Sequence, residues 1–208
     1  MRIKGLYCIL PELNSILEYT DFVKKLVKFR PNLIQLRIKQ KSDRFFYDLA
    51  KKIKDILKNK DILFIIDDRI DIAISINADG VHLGQDDISP LVARKIAKSC
   101  GLKNFIIGFS THSYEQAKKA LKLPVDYISI GPIFETLSKP EYEPVGVETL
   151  HRVKLLAYKN KVPVVAIGGI NQNNVDDIKR NGADAVAVIS AISQLDPIVI
   201  KKIKSLYD

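Results

Sequence analysis

Short, continuous apolar runs recur along this chain, and most are followed by a longer stretch with helical spacing. The runs are Gly5–Leu10, Leu33–Ile38, Ile62–Ile66, Gly80–Leu83, Phe105–Phe109, Tyr127–Ile130, Val162–Ile167 and Ala185–Ile189. They are unbroken rather than alternating, as expected for strands covered on both faces. Between them, SDRFFYDLAKKIKDILK opens on Ser42 as an N-cap and then repeats apolar residues with the period of a helix. THSYEQAKKALK and NQNNVDDIKRNG behave alike, the second stopping at Gly182. Eight strands alternating with helices, with no linker between them, predict one (β/α)₈ TIM-barrel domain over residues 1–208. A doubly wound open sheet fits less well. It would use fewer strands and a glycine-rich first turn, whereas ILPELNS after the first run has no glycine.

Composition narrows the function. With 208 residues, 47% apolar and 27% charged, the chain can bury a substantial core. The opening MRIKGLYCIL lacks a signal-peptide pattern, and no apolar run approaches the roughly 20 residues of a membrane span. Cys8 and Cys100 are too few for a disulfide framework or a thiolate metal site, so a cytoplasmic location and no membrane partner are expected. The net charge of +9 raises the question of nucleic acid. Its lysines are scattered over helical stretches without arginine runs or interleaved aromatics, which reads as solvated helix faces and argues against that partner. The same field favours encounter with small anionic substrates.

In a barrel of this kind the C-terminal strand ends and the loops after them build the active face. Asp67-Asp68 after the third strand and Asp86-Asp87 after the fourth would then meet on one rim. Gln35, Arg37 and Lys39 alternate at the end of the second strand, so one amide and two cations would point the same way. They could hold an anionic group, or Arg37 could pair with an acid inside the barrel. Carboxylate oxygens beside a phosphate are the setting Mg²⁺ prefers; salt bridges from Asp68 or Asp71 to Arg37 or Arg69 are the alternative. AIGGI places Gly168 and Gly169 after the seventh strand, and AVISAI places Ile189 and Ser190 after the eighth, the usual phosphate site of the fold. The long loop Gly131–Gly146 carries Thr136, Ser138 and Lys139, and FSTHS adds Ser110 and His112. His112 reads equally as an acid/base or as a helix-start residue that orders the rim.

The ordered set QLRIK, DDRIDIA, ADGVHLGQDD, GFSTHS, DYISIGPIFETLSK, VPVVAIGGI and GADAVAVISAI resembles the thiamine phosphate synthase / thiazole tautomerase superfamily over nearly the whole chain. The synthase branch, which this chain resembles more closely, joins hydroxymethylpyrimidine pyrophosphate to thiazole phosphate through a pyrimidine carbocation. The resemblance implies Mg²⁺ as cofactor, held by Asp68 and Asp87. Gln35, Arg37, Lys39, Asp67, Ser110 and Lys139 would bind the pyrophosphate substrate, with Arg37, Lys39, Ser110 and Lys139 acting in catalysis. Thr136, Ser138, Gly168, Gly169, Ile189 and Ser190 would hold the thiazole phosphate. Members of the family often form homo-oligomers. Three positions depart from the synthase pattern: Asp67 replaces its Asn, Ile38 replaces its Glu, and FETLSKP leans toward the tautomerases. A tautomerase would work without metal through His112, and a non-catalytic relative would bind thiazole phosphate without turnover.

Overall fold

The computed structural model describes residues 3–136 and 142–207. Its strands are β1 (Gly5–Ile9), β2 (Leu33–Leu36), β3 (Leu63–Asp67), β4 (Gly80–Leu83), β5 (Ile106–Thr111), β6 (Tyr127–Ile130), β7 (Val164–Ile167) and β8 (Ala185–Val188). Each pairs in parallel with its sequence neighbour, and β8 pairs with β1 to close the barrel. The helices are α1 (Ile16–Leu26), α2 (Asp43–Leu57), α3 (Ile70–Ser75), α4 (Pro90–Ser99), α5 (Tyr114–Ala120), α6 (Gly146–Asn160), α7 (Val175–Arg180) and α8 (Pro197–Ser205). Ser15, Ser42, Ser89 and Ser113 each accept a backbone N–H at the start of α1, α2, α4 and α5, a contact worth about 1 kcal/mol apiece. None of the described helices is long and apolar enough to cross a membrane.

All eight predicted runs become strands, but several ends move, and the shifts matter for the site. The second strand stops at Leu36, so Arg37 and Lys39 stand on the loop beyond it rather than on the strand. Asp67 is the last residue of β3 instead of the first after it, and Ser110 lies inside β5 rather than beyond it.

Two apolar layers hold the barrel. The larger lies between the sheet and the helices, with Phe46, Leu49 and Ile53 of α2 fully or almost fully buried in it. The smaller fills the lower barrel interior with Tyr7, Leu33, Ile65, Tyr127 and Val165. Toward the C-terminal strand ends the interior turns polar, with Gln35, Asp67, His82 and Ser129 all buried.

The N-terminal rim repeats one device four times. Asn32, Asp79, Asp126 and Asp184 each stand immediately before an even-numbered strand. Their side chains accept the backbone N–H of Leu6, Phe64, Ile107 and Val164 on the preceding odd-numbered strand, at 3.0, 2.8, 2.7 and 2.8 Å. In return the carbonyl of each strand residue accepts the latch residue's own N–H at 2.8–2.9 Å. The three carboxylates each meet a cation from a helix: Lys54 of α2, Arg94 of α4 and Lys154 of α6. The neutral Asn32 needs none. Every latch satisfies strand-end groups that closure would otherwise leave unpaired.

Candidate active site

A cavity of about 240 Å³ opens at the opposite, C-terminal end of the strands. Every predicted site residue among the described ones lines it. Gln35, Arg37, Lys39, Asp67, Asp68 and Asp87 form one wall, and Gly168, Gly169, Ile189 and Ser190 form another. Ser110 and Thr136 lie on the lining as well. Ser138 and Lys139 fall outside the described residues.

The acidic wall is built by a turn. Asp68 adopts a left-handed backbone, φ 59°, which aspartate tolerates better than most residues. Its N–H donates to the His82 carbonyl at 2.8 Å, tying the end of β3 to β4 while the chain swings into α3. The Asp68 carboxylate reaches Lys39, which bonds to it. Lys39 Nζ is also 3.6 Å from Asp67 Oδ2, and Arg37 Nε is 3.5 Å from the same oxygen. Of the bridges expected from Asp68 or Asp71 to Arg37 or Arg69, the one between Asp71 and Arg69 is present. Arg37 turns to Asp67, while Arg69 joins Asp71 and Asp43 outside the cavity.

Asp67 is 7% exposed. Burial pushes its carboxyl up to about 7, the neighbouring Asp68 adds to the rise, and Lys39 and Arg37 oppose it. Asp87 is raised as well, first by burial and then by the Asp68 carboxyl against it, although the Gly84 N–H donates to it at 2.6 Å. Burial works to lower Lys39, yet the hydrogen bond to Asp68 and the charges of Asp67 and Asp68 leave it raised overall.

These residues suit a hard divalent ion. Asp68 and Asp87 present oxygen ligands from two loops, and their mutual repulsion would be relieved by a cation between them. Among the described residues no group of three or more His, Cys, Asp or Glu could hold a metal by itself. An ion here would complete its shell with water and substrate oxygens, as Mg²⁺ commonly does.

On the other wall both glycines have positive φ, 99° at Gly168 and 65° at Gly169. A side chain at Gly168 would come within 2.4 Å of Pro132, and one at Gly169 within 2.4 Å of the Glu135 carbonyl. Glycine is thus required for the loop after β7 to pass beneath the loop after β6. His112 also faces the cavity. Its Nδ1–H donates to the Gly131 carbonyl at 2.6 Å, and its ring stacks on Tyr142 at 4.1 Å. Those contacts support its rim-ordering reading.

Sequence reasoning missed His82 and Tyr142. His82 Nε2 is 2.8 Å from Ser110 Oγ, and its ring stacks on buried Tyr127. The available signal was a lone polar residue inside the apolar run GVHL, at a position that faces the barrel interior. No comparable signal marked Tyr142.

Comparison with known proteins agrees with this fold. The family model described as thiamine monophosphate synthase matches residues 6–192. The thiamine-phosphate synthase of Persephonella marina is 43% identical over 197 residues, covering 93% of this chain and 90% of that protein. The solved thiamine phosphate pyrophosphorylase from Pyrococcus furiosus superposes with a TM-score of 0.83 at 33% identity, covering 98% of this chain and 95% of that one. A 3-hexulose-6-phosphate synthase from Salmonella typhimurium, at 19% identity and a TM-score of 0.72 over 98% of both chains, shares the fold alone. With the model matched across nearly every strand and helix described above, the chain belongs to the thiamine monophosphate synthase family.

Proposed function

We propose that this protein is a Mg²⁺-dependent thiamine-phosphate synthase. It transfers the hydroxymethylpyrimidine group from its pyrophosphate to the ring nitrogen of thiazole phosphate, releasing pyrophosphate. The observation that carries the reading is the division of the cavity. A cation-and-carboxylate wall on β2–β4 faces a glycine wall after β7 and β8, so two phosphorylated substrates can meet between them.

The reaction breaks a C–O bond before the new C–N bond forms, so the protein needs positioning and charge stabilisation more than proton transfer. Arg37 and Lys39 bind and orient the pyrophosphate, and Ser110 donates a hydrogen bond to it. Lys139 would add a further cation. Held by Asp68 and Asp87, Mg²⁺ would supply positive charge to the departing oxygens. The glycine wall with Ser190 and Thr136 seats the thiazole phosphate on the opposite side, its nitrogen turned toward the pyrimidine carbon. Asp67 replaces a neutral amide of the synthase pattern without repelling the leaving group. Two cations contact it, and burial, which pushes its carboxyl up to about 7, favours the protonated form.

The acidic wall also weighs against a metal-free tautomerase, which has no use for four carboxylates at the cavity. The deciding experiment follows thiamine phosphate formation from the two substrates with Mg²⁺ and with EDTA. Metal-dependent product is expected. Absence of product with both substrates bound would overturn the assignment.

A further inference from the structure

A line of buried polar side chains runs through the barrel and ends at Ser110. Gln35 Nε2 donates to the Tyr7 hydroxyl at 2.9 Å. The Tyr7 and Tyr127 hydroxyls are 2.9 Å apart, and the Tyr127 hydroxyl is 2.9 Å from His82 Nδ1. His82 Nε2 then lies 2.8 Å from Ser110 Oγ. Tyr7 and Tyr127 are at most 1% exposed and Gln35 is 2% exposed, so water does not compete along the line. Space for it is reserved. At Gly108 a side chain would stand 2.1 Å from the Tyr127 ring and 2.5 Å from His82 Nδ1.

Requiring the buried Tyr7 hydroxyl to donate within the line leaves one order for its protons. An amide nitrogen only donates, so the Tyr7 oxygen accepts from Gln35 and passes its own proton to Tyr127. Tyr127, having accepted, donates to His82 Nδ1. A neutral imidazole that accepts at Nδ1 carries its hydrogen on Nε2, and that hydrogen goes to Ser110 Oγ. Ser129 Oγ donates to the same oxygen at 3.4 Å. With one lone pair taken by the His82 N–H at 2.8 Å, Ser110 keeps its own proton to give to the cavity.

We infer that Gln35, Tyr7, Tyr127 and His82 form a directional relay that fixes the Nε2–H tautomer of His82 and thereby commits Ser110 to donate to an anionic substrate oxygen. Tyr127, which does not line the cavity, is a positioning residue that acts through His82 and Ser110, and His82 acts through Ser110. The tautomer follows from geometry alone, whereas its use in turnover rests on the synthase reading above.

Nitrogen-15 NMR of histidine-labelled protein tests the relay without substrate. The three histidines are assigned with His112→Gln and His151→Gln variants, which leave the His82 signal in place. His82 is expected as the neutral Nε2–H tautomer at pH 7.5; an Nδ1–H or doubly protonated ring overturns the inference. In Tyr127→Phe the fixed tautomer should be lost. Synthase kcat should then fall about tenfold or more while KM for thiazole phosphate holds. Unchanged kcat with a released tautomer removes the catalytic half of the inference, because a purely structural hydroxyl would lower only the melting temperature. If Tyr127→Phe does not fold, the wild-type spectrum decides by itself. An inactive wild type that shows the expected tautomer would refute the synthase reading and leave the relay standing.

Discussion

Replacing Asp67 by asparagine tests how the acidic wall is tolerated. In the fold the carboxyl sits near 7 against an ordinary 3.8, because it is buried beside Asp68. A raised acid favours its protonated form in the native state. Its contribution is therefore fully present below about pH 4 and is lost as the pH rises through about 7. At 1.36 kcal/mol for each tenfold change in acidity, the whole effect is at most about 4 kcal/mol, of which roughly 2–3 kcal/mol falls between pH 5 and pH 8. Asparagine keeps the shape and does not titrate. Urea unfolding of both proteins in EDTA, from pH 5 to pH 8, reads the effect of Asp67 together with its coupling to Asp68, Asp87 and Lys39. The wild type should lose about 1 M in urea midpoint relative to Asp67→Asn across that range, and the variant should keep or gain synthase activity. Parallel midpoints would show that Asp67 stays ionised throughout. A wild type that gains on the variant as the pH rises would reverse the sign and refute the reasoning.

Three further substitutions probe other parts of the molecule. Asp87→Ala should remove the Mg²⁺ dependence and lower turnover about 100-fold, read from rate against Mg²⁺ concentration; unchanged turnover would cancel the metal assignment. Gly169→Ala places a methyl 2.4 Å from the Glu135 carbonyl at a positive φ, which should cost about 1–3 kcal/mol and raise KM for thiazole phosphate. A melting curve and KM together check it, and an unaltered KM would detach the glycine wall from phosphate binding. Asp184→Ala strips the Val164 N–H and Lys154 of their partner and should destabilise by about 1–3 kcal/mol, whereas Asp184→Asn retains an acceptor and should cost less. Turnover per folded molecule should not change in either, because this latch lies at the end of the barrel away from the cavity.

The strands were legible because burial on both faces leaves mostly apolar runs that side-chain chemistry alone reveals. Serine caps such as Ser42 were equally plain, since their hydrogen bonds are local. The strand ends were not, because pairing decides them: β2 stops at Leu36 although apolar residues continue to Ile38. Site residues were found where they stand after a strand in charged or glycine-rich words, as Lys39, Asp87 and Gly168 do. His82 and Tyr127 escaped because they sit inside apolar runs, and only barrel closure brings them together across 45 residues. An acid inside the barrel was foreseen as a partner for Arg37, but not which one. A one-residue extension of β3 carries Asp67 inward to meet it.

The four latches beneath the barrel divide it into quarters built to a common plan, each a pair of strands clipped by one side chain. A third set of bonds joins the quarters: the Leu63, Ile106 and Gly5 amides donate to the carbonyls of Asn32, Asp79 and Asp184. The fourth joint, facing Asp126, falls on Pro163, which has no amide hydrogen to give. Considered as a hoop, the barrel thus has three joints stapled through the latch carbonyls and one, between β6 and β7, held instead by the Ile128 N–H, which donates to the Pro163 carbonyl at 3.1 Å. An insertion, a circular permutation or a split into two complementary fragments placed between quarters would spare all four latches, whereas a cut through any latch would sever both halves of a clip.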